Sequence, residues 1–532
     1  MSRTRKRRPG SKGRKNPASP QDLRPRVELA LVLLLTLAAA ILRFYKLGFR
    51  SFWRDELATI QPALNADSIW RLFLHLTPGD HSHPRLAHTL VRLSSELFGT
   101  SELALRAPAA VAGTLVVPIA WLLARRLFRT AAARLIFVAA HAFSLFVTYY
   151  SQEARMYIFA YLIALWSTER LLTWLQHPGW KEAITYALSA ALLFNAHYVA
   201  IFAVVGHGLY LAIRAFLLRD LPIRRFIPQS PWNVLLFRES WSALHLMSLL
   251  LVTPLMSILI WGMQDLSRSF WLWDPNAKMI ADVLLMYLGF KAPPFAQFGW
   301  SSQNLALVLP LVTAAVATAI AVIRYVKSAW IERPQRDQHI RPALLALCWF
   351  GCAFGIPLMI SAFSSLNVFM ARTVMTAMAP FWILLILPVE RWRQPWLSGL
   401  LAIVLVAPSL ASMHWYYNAP HKPAWRDAVA WIEQQAQPGD YVLQHNRPFY
   451  FYSKLGKDRL KPVRTRSPVL LDQDLRQARR IWVIRELWAG DSQTRKVIPQ
   501  LARYGFRPTH QKEFAGLAVF LVERVPDHGT PQ

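Results

Sequence analysis

Apolar and polar positions alternate along this chain of 532 residues in long blocks rather than at short period. Runs of roughly 18 or more mostly apolar residues are long enough to cross a bilayer as a helix. Eleven such runs are read, near 27–47, 104–124, 132–150, 155–175, 182–196, 198–218, 243–263, 303–323, 342–362, 370–389 and 396–413. The fifth and sixth are parted only by "FNAHYVA". Two polar intervals are long. The first, 48–103, contains "DSIWRLFLHL" and "RLAHTLVRLSSELFG", whose apolar residues recur at helical spacing with charge on the other face, the pattern of helices lying on a membrane surface. The second, 264–302, places Trp271 and Trp273 where aromatic rings suit the headgroup zone.

From His414 the pattern changes. "PAWRDAVAWIEQQAQPGD" predicts an amphipathic helix that ends before Pro438-Gly439, and "YVLQH", "RIWVIRE" and "AGLAVFLVERV" predict strands. About 115 residues suffice for one small α/β domain. The expected fold class is therefore an all-α polytopic membrane bundle of about 11 transmembrane helices, with amphipathic interfacial helices in its first outer loop and a small C-terminal α/β domain. The expected division is a basic tail over 1–26, a membrane domain over 27–413 and an extracytoplasmic domain over 414–532.

Composition agrees with a membrane protein: 54% of residues are hydrophobic and 17% charged, against about 25% charged in soluble chains. The net charge of +30 would suit a nucleic-acid binder, but its position excludes that reading. The basic residues stand in alternate connections, at Arg125 to Arg134, Arg170 to Lys181, Arg214 to Arg238, Arg324 to Arg341 and Arg391 to Arg393. Positive charge concentrates in cytoplasmic loops, so the alternation predicts a cytoplasmic N-terminus, an odd number of crossings and a C-terminal domain outside. The first 26 residues, rich in Arg, Lys, Pro, Ser and Gly, read as a disordered tail before a retained first span. Cys348 and Cys352, four apart in one apolar run, read as packing residues.

The candidate chemistry gathers on the outer face. Arg54, Asp55 and Glu56 follow the first span directly, in "GFRSFWRDELATI". An Asp at that place can serve as a helix cap, and it can equally serve as a general base. "DHSHPR" adds Asp80, His81, His83 and Arg85. "SQEARMY" adds Glu153 and Arg155, "NAHY" adds His197, "FMARTV" adds Arg372, and the second outer loop adds Arg268 and Lys291. Carboxylates are costly near lipid and tend to be functional there. Arg and Lys bind phosphate, so the cluster reads as a site for an anionic lipid headgroup beside a general base.

Three stretches bring a family into view: "RDE" after the first span, "HSHPRLAHTLVRLSSELFGTSELALRAPAAVAGTLVVPIAWLLARRLF", and "SQEARMY". In order and spacing they resemble bacterial membrane glycosyltransferases of the GT-C superfamily, in the branch of protein O-mannosyltransferases and the lipid A aminoarabinose transferase. The resemblance covers about 1–220 well and beyond that rests on Arg372 and the architecture. It implies a polyprenyl-phosphate sugar donor, transfer outside the cytoplasm of a bacterial inner membrane, and Asp55 as the catalytic base. The substrate-binding candidates are Arg54, Glu56, His83, Glu153, Arg155, His197, Lys291 and Arg372. The chain departs from the family pattern at Arg85, where a second Pro is usual, and at Thr373, where a Tyr follows the Arg. These departures bear on donor or acceptor preference.

The mechanism expected from this is a single displacement that inverts the anomeric carbon, with protein, lipid or glycan as acceptor. Glu56 and Glu153 carry oxygen ligands that would suit Mg²⁺ or Mn²⁺. No dedicated metal motif accompanies them, so no obligatory metal is expected. The alternative is a transporter or flippase for lipid-linked sugars. That would place ionisable residues deep within several spans, whereas here the charges gather at one face.

Overall fold

The computed structural model describes residues 25–73, 84–177, 179–214, 275–290, 341–364, 366–392, 394–443, 447–455, 460–462, 478–487 and 492–525. The first helix, α1 (Pro25–Phe44), is almost wholly apolar between Glu28 and Arg43 and ends in a tight turn in which Lys46 takes a left-handed φ of 55°. Among the described residues, three short helices follow outside the bundle: α2 (Arg54–Leu64), α3 (Ile69–Phe73) and α4 (Leu86–Phe98). The last two coincide with the amphipathic stretches. Leu93, Leu97 and Phe98 of α4 and Trp70 of α3 are exposed apolar residues, as helices at a lipid interface require.

The other described helices of the bundle are α5 (Glu102–Leu127), α6 (Ala131–Phe143), α7 (Leu145–Ser151), α8 (Tyr157–Gln176), α9 (Trp180–Ala196), α10 (Ile201–Ala212), α11 (Ala277–Tyr287), α12 (Pro342–Phe363), α13 (Met378–Ile386) and α14 (Pro395–Asn418). Capping sets the ends of α5 and α6. The Ser101 hydroxyl accepts from the Ala104 amide, with Glu102 in the first turn and Arg125 and Arg126 in the last, each favoured by the helix dipole. Thr130 caps α6, and the Glu390 carboxylate accepts from the amides of Arg129 and Thr130. Gly113 lets α5 pass close to α7: a Cβ there would lie 1.9 Å from Ser151 Oγ.

Among the described residues, four helices (α1, α5, α12 and α14) are each long and apolar enough to cross a membrane, and the pair α6–α7 makes a fifth if taken as one span. The run read as one span over 132–150 is thus broken, with a bend of 46°. Ser144 is the cause. Its backbone is extended and its hydroxyl accepts from the Val147 amide, starting a new helix. The run read over 370–389 also differs, since its regular helix begins only at Met378. Thr373 Oγ1 donates at hydrogen-bonding distance to the carbonyls of Val368 and Met370, 2.6 and 3.0 Å away, and holds Ala371–Val374 as a turn. Arg372 therefore stands in that turn. The runs near 243–263 and 303–323 lie outside the described residues.

Beyond α14 the chain forms α15 (Trp425–Gln435), β1 (Asp440–Leu443), α16 (Arg447–Tyr452), β2 (Leu460–Pro462), β3 (Arg480–Glu486), α17 (Ser492–Arg503), β4 (Phe506–Phe514) and β5 (Leu517–Arg524). The sheet order is β2-β1-β3-β5-β4, with β1 parallel to β2 and β3, and β5 antiparallel to β3 and β4. The apolar runs of β3 and β5 are continuous because both sheet faces are covered. Ile481, Val483 and Val522 pack on Leu501 of α17, while Trp482, Val519 and Leu521 pack on Trp425, Val429 and Ile432 of α15. The strand β4 is an edge, exposed over nearly its whole length.

Candidate active site

The triplet at the start of α2 is resolved by the helix turn of about 100° per residue. Arg54 faces solvent, Asp55 is half-buried and Glu56 is fully buried. Asp55 does not cap the helix. No side-chain bond closes the N-terminus of α2, and the Asp55 carboxylate instead accepts from Arg372 Nη1 at 2.9 Å. The Asp55 side chain keeps 24% of its surface exposed, so the carboxylate can still meet a reactant.

Arg155 supports the same position from the turn between α7 and α8. Its Nη1 donates to the Asp55 backbone carbonyl at 2.9 Å and to Thr59 Oγ1 at 3.0 Å. The guanidinium groups of Arg155 and Arg372 lie 5.6 and 5.7 Å from the centre of the Tyr157 ring, which holds two cations near one another. The His197 ring stands 5.4 Å from Tyr157. Burial, with Arg155 and Arg372 close by, pushes its imidazole down to about 3. His197 is therefore neutral at physiological pH and offers hydrogen bonds rather than charge.

Glu56 and Glu153 lie behind Asp55. Glu56 accepts two parallel bonds from Arg106, at 2.7 and 2.8 Å, and one from the Ala154 amide at 3.1 Å. Burial alone would raise its pKa, but Arg106 and Lys422 outweigh that and hold it at about 2. Arg106 also donates to the carbonyls of Leu47, Arg50 and Ser51, so one guanidinium fixes the whole loop between α1 and α2. Lys422 Nζ stands 3.2 Å from Glu56 and 3.4 Å from Glu153. Glu153 is raised by its burial and by the facing Glu56 and Asp55 carboxylates, against the pull of Lys422.

The structure thus brings Asp55, Glu56, Glu153, Arg155, His197 and Arg372 to one face, with Arg54 at its rim. His83 and Lys291, with Asp80, His81 and Arg268, lie outside the described residues. Among the described residues no three His, Cys, Asp or Glu side chains converge as a metal site would need. Arg106, Tyr157 and Lys422 belong to the cluster and were not singled out from the sequence. Arg106 and Tyr157 sit in the stretches "SELALRAPAAVAG" and "SQEARMY", so a buried Arg in an otherwise apolar helix was a usable signal. Lys422 had only its place just past the last span.

Residues 82–261 match the dolichyl-phosphate-mannose-protein mannosyltransferase family. The fold is similar to that of ArnT from Cupriavidus metallidurans bound to undecaprenyl phosphate, with 14% identity, a TM-score of 0.53, and coverage of 95% of this chain and 100% of that one. The Archaeoglobus fulgidus oligosaccharyltransferase is also similar, at 12% identity and a TM-score of 0.49 over 87% of this chain and 70% of that one. No curated protein sequence matches significantly. The family match covers about a third of the chain, and the likeness to ArnT is one of fold.

Proposed function

We propose that this protein transfers a sugar from a polyprenyl-phosphate donor to an acceptor hydroxyl on the outer face of a bacterial inner membrane, with inversion. The observation that carries the reading is the partly exposed Asp55 carboxylate, held between Arg372 and the Arg155-anchored backbone where the chain leaves its first membrane helix. The acceptor oxygen attacks the anomeric carbon as its proton passes to Asp55. The bond from that carbon to the phosphate oxygen breaks, and polyprenyl phosphate leaves with the electron pair. Fixed guanidinium groups at Arg372 and Arg155 offset the charge that develops on the phosphate. One displacement at one carbon inverts it. The family match supports a lipid-linked donor, and the similar ArnT structure holds undecaprenyl phosphate.

The test supplies purified protein with undecaprenyl-phosphate hexoses and pentoses, using membranes of a deletion strain as acceptor source. One donor is consumed and undecaprenyl phosphate released; the deletion strain accumulates the same lipid-linked sugar. Failure of every donor, with no accumulation, overturns the reading.

Arg372→Ala is expected to raise the donor KM by roughly tenfold or more, because a charge-assisted bond to phosphate contributes about 1.5–3 kcal/mol. Lys substitutes poorly, since it lacks the planar fork. The acceptor KM stays within about twofold. Steady-state kinetics with each substrate varied in turn would show the reverse pattern if Arg372 served the acceptor.

The basic connections orient the chain with its N-terminus in the cytoplasm and the sheet outside. Topology reporters fused at Pro334 and Gly439 are expected on opposite sides. Two reporters on the same side would refute this arrangement.

A further inference from the structure

Among the described residues, Lys422 is the one cation of the cluster supplied from beyond the last membrane helix. It stands in the segment between α14 and α15, is 7% exposed, and lies within ion-pair distance of both Glu56 and Glu153. These carboxylates come from the start of α2 and from the turn between α7 and α8. Each flanks Asp55 in a different way. Glu56 is its neighbour in the chain, and Glu153 is two residues from Arg155, which holds the Asp55 carbonyl. Glu56 has Arg106 as well. Among the described residues, Lys422 is the cation that stands within 4.0 Å of Glu153.

The same stretch grips the loop elsewhere. Arg426 donates to the Ser51 hydroxyl through its amide, and to Glu102 and the Phe49 carbonyl through its guanidinium. Tyr452 of α16 accepts from the Phe52 amide at 2.6 Å and donates to Glu102 at 2.9 Å. The Phe451 ring meets Phe52 edge-on, with centroids 5.4 Å apart.

We propose that Lys422 is a positioning residue of the transfer site: by joining Glu56 to Glu153 it locks the Asp55 end of α2 onto the Arg155 turn, so that the C-terminal α/β unit completes the site. The inference rests on the proposed transfer only for its kinetic consequence; the lock itself is a property of the fold. Two buried carboxylates that lose a shared cation must separate or take up a proton, and either outcome frees the start of α2.

The experiment uses the full chain in lipid nanodiscs and compares wild type, Lys422→Met and Lys422→Met/Glu153→Gln. Amide exchange over 48–60 is read by mass spectrometry, and turnover by release of undecaprenyl phosphate from the donor consumed fastest. In Lys422→Met, exchange over 48–60 rises at least roughly tenfold while α5 is unchanged. Its kcat falls at least about tenfold with donor KM within about twofold, a split that a general loss of folded protein would not give. The double variant, relieved of the surplus carboxylate, returns loop exchange to within about threefold of wild type. Should Lys422→Met not fold, Lys422→Gln carries the same comparison. Unchanged loop exchange in the single variant, or no recovery in the double one, overturns the proposal. If wild type consumes no donor, the transfer reading fails, while loop exchange still decides the role of Lys422.

Discussion

Asp55→Asn abolishes measurable sugar transfer and leaves the protein folded. The amide is nearly isosteric, and its oxygen can still accept from Arg372 Nη1, which stands 2.9 Å from the carboxylate. What it cannot do is take the acceptor's proton. Loss of a general base typically costs about a hundred- to ten-thousand-fold in rate. Folding should survive because the Asp55 side chain is partly exposed and does not cap its helix. Donor binding should also survive, since Arg372 and Arg155 remain. The measurements are turnover with a lipid-linked sugar, donor binding and a melting curve on the same preparation. Near-wild-type turnover would remove Asp55 from the chemistry. Lost turnover with lost binding would make it a docking residue instead.

Arg106→Met is expected to unfold the outer loop and with it much of the protein. Arg106 makes two bonds to Glu56 and three to the carbonyls of Leu47, Arg50 and Ser51, and it is 1% exposed. Removing one member of a buried ion pair costs about 3–5 kcal/mol, because the partner charge stays behind. Thermal melting in a fixed detergent should show a large drop, and a wild-type melting point would deny Arg106 this role. The same pair has an acid limit. The Glu56 carboxyl is held at about 2 in the fold against an ordinary value of 4.5. Its pKa is depressed by folding, so its stabilisation is complete above pH about 4.5 and is lost as pH falls towards 2, where the unfolded chain binds the proton first. Glu56→Gln should flatten that part of the stability–pH curve.

Much of the membrane bundle could be read from the chain because a bilayer demands long uninterrupted apolar helices. The runs near 27–47, 104–124, 342–362 and 396–413 correspond to α1, α5, α12 and α14. The break at Ser144 could not be read, since a lone Ser inside an apolar run is ordinary and its effect depends on where its hydroxyl turns. In the sheet, β3 and β5 were legible as apolar runs. The β4 sequence "FRPTHQKEF" was not, because an edge strand wet on both faces has no alternation to show. The site followed the same rule. Asp55, Glu153 and Arg372 stood out locally, but their partners lie far along the chain: Arg372 is 317 residues from Asp55 and Lys422 is 366 from Glu56. Pairings over such separations leave no period in the sequence.

The bend at Ser144 frees the last carbonyls of α6, and a residue of the first helix collects them. Arg43 donates to His141 at 2.9 Å and to Ala142 at 3.0 Å, while Gln152 donates to the Arg43 carbonyl. On the ribosome these partners do not exist together. Arg43 is made 98 residues before His141, a delay of roughly 5–20 s at about 5–20 residues per second. Through that interval the first helix carries a guanidinium with nothing across the bundle to receive it. It must stay near the bilayer surface, or in the shelter of the insertion machinery, until the third apolar segment arrives. The bonds that tie the end of α1 across the bundle thus form late in biogenesis, though α1 is the first helix made.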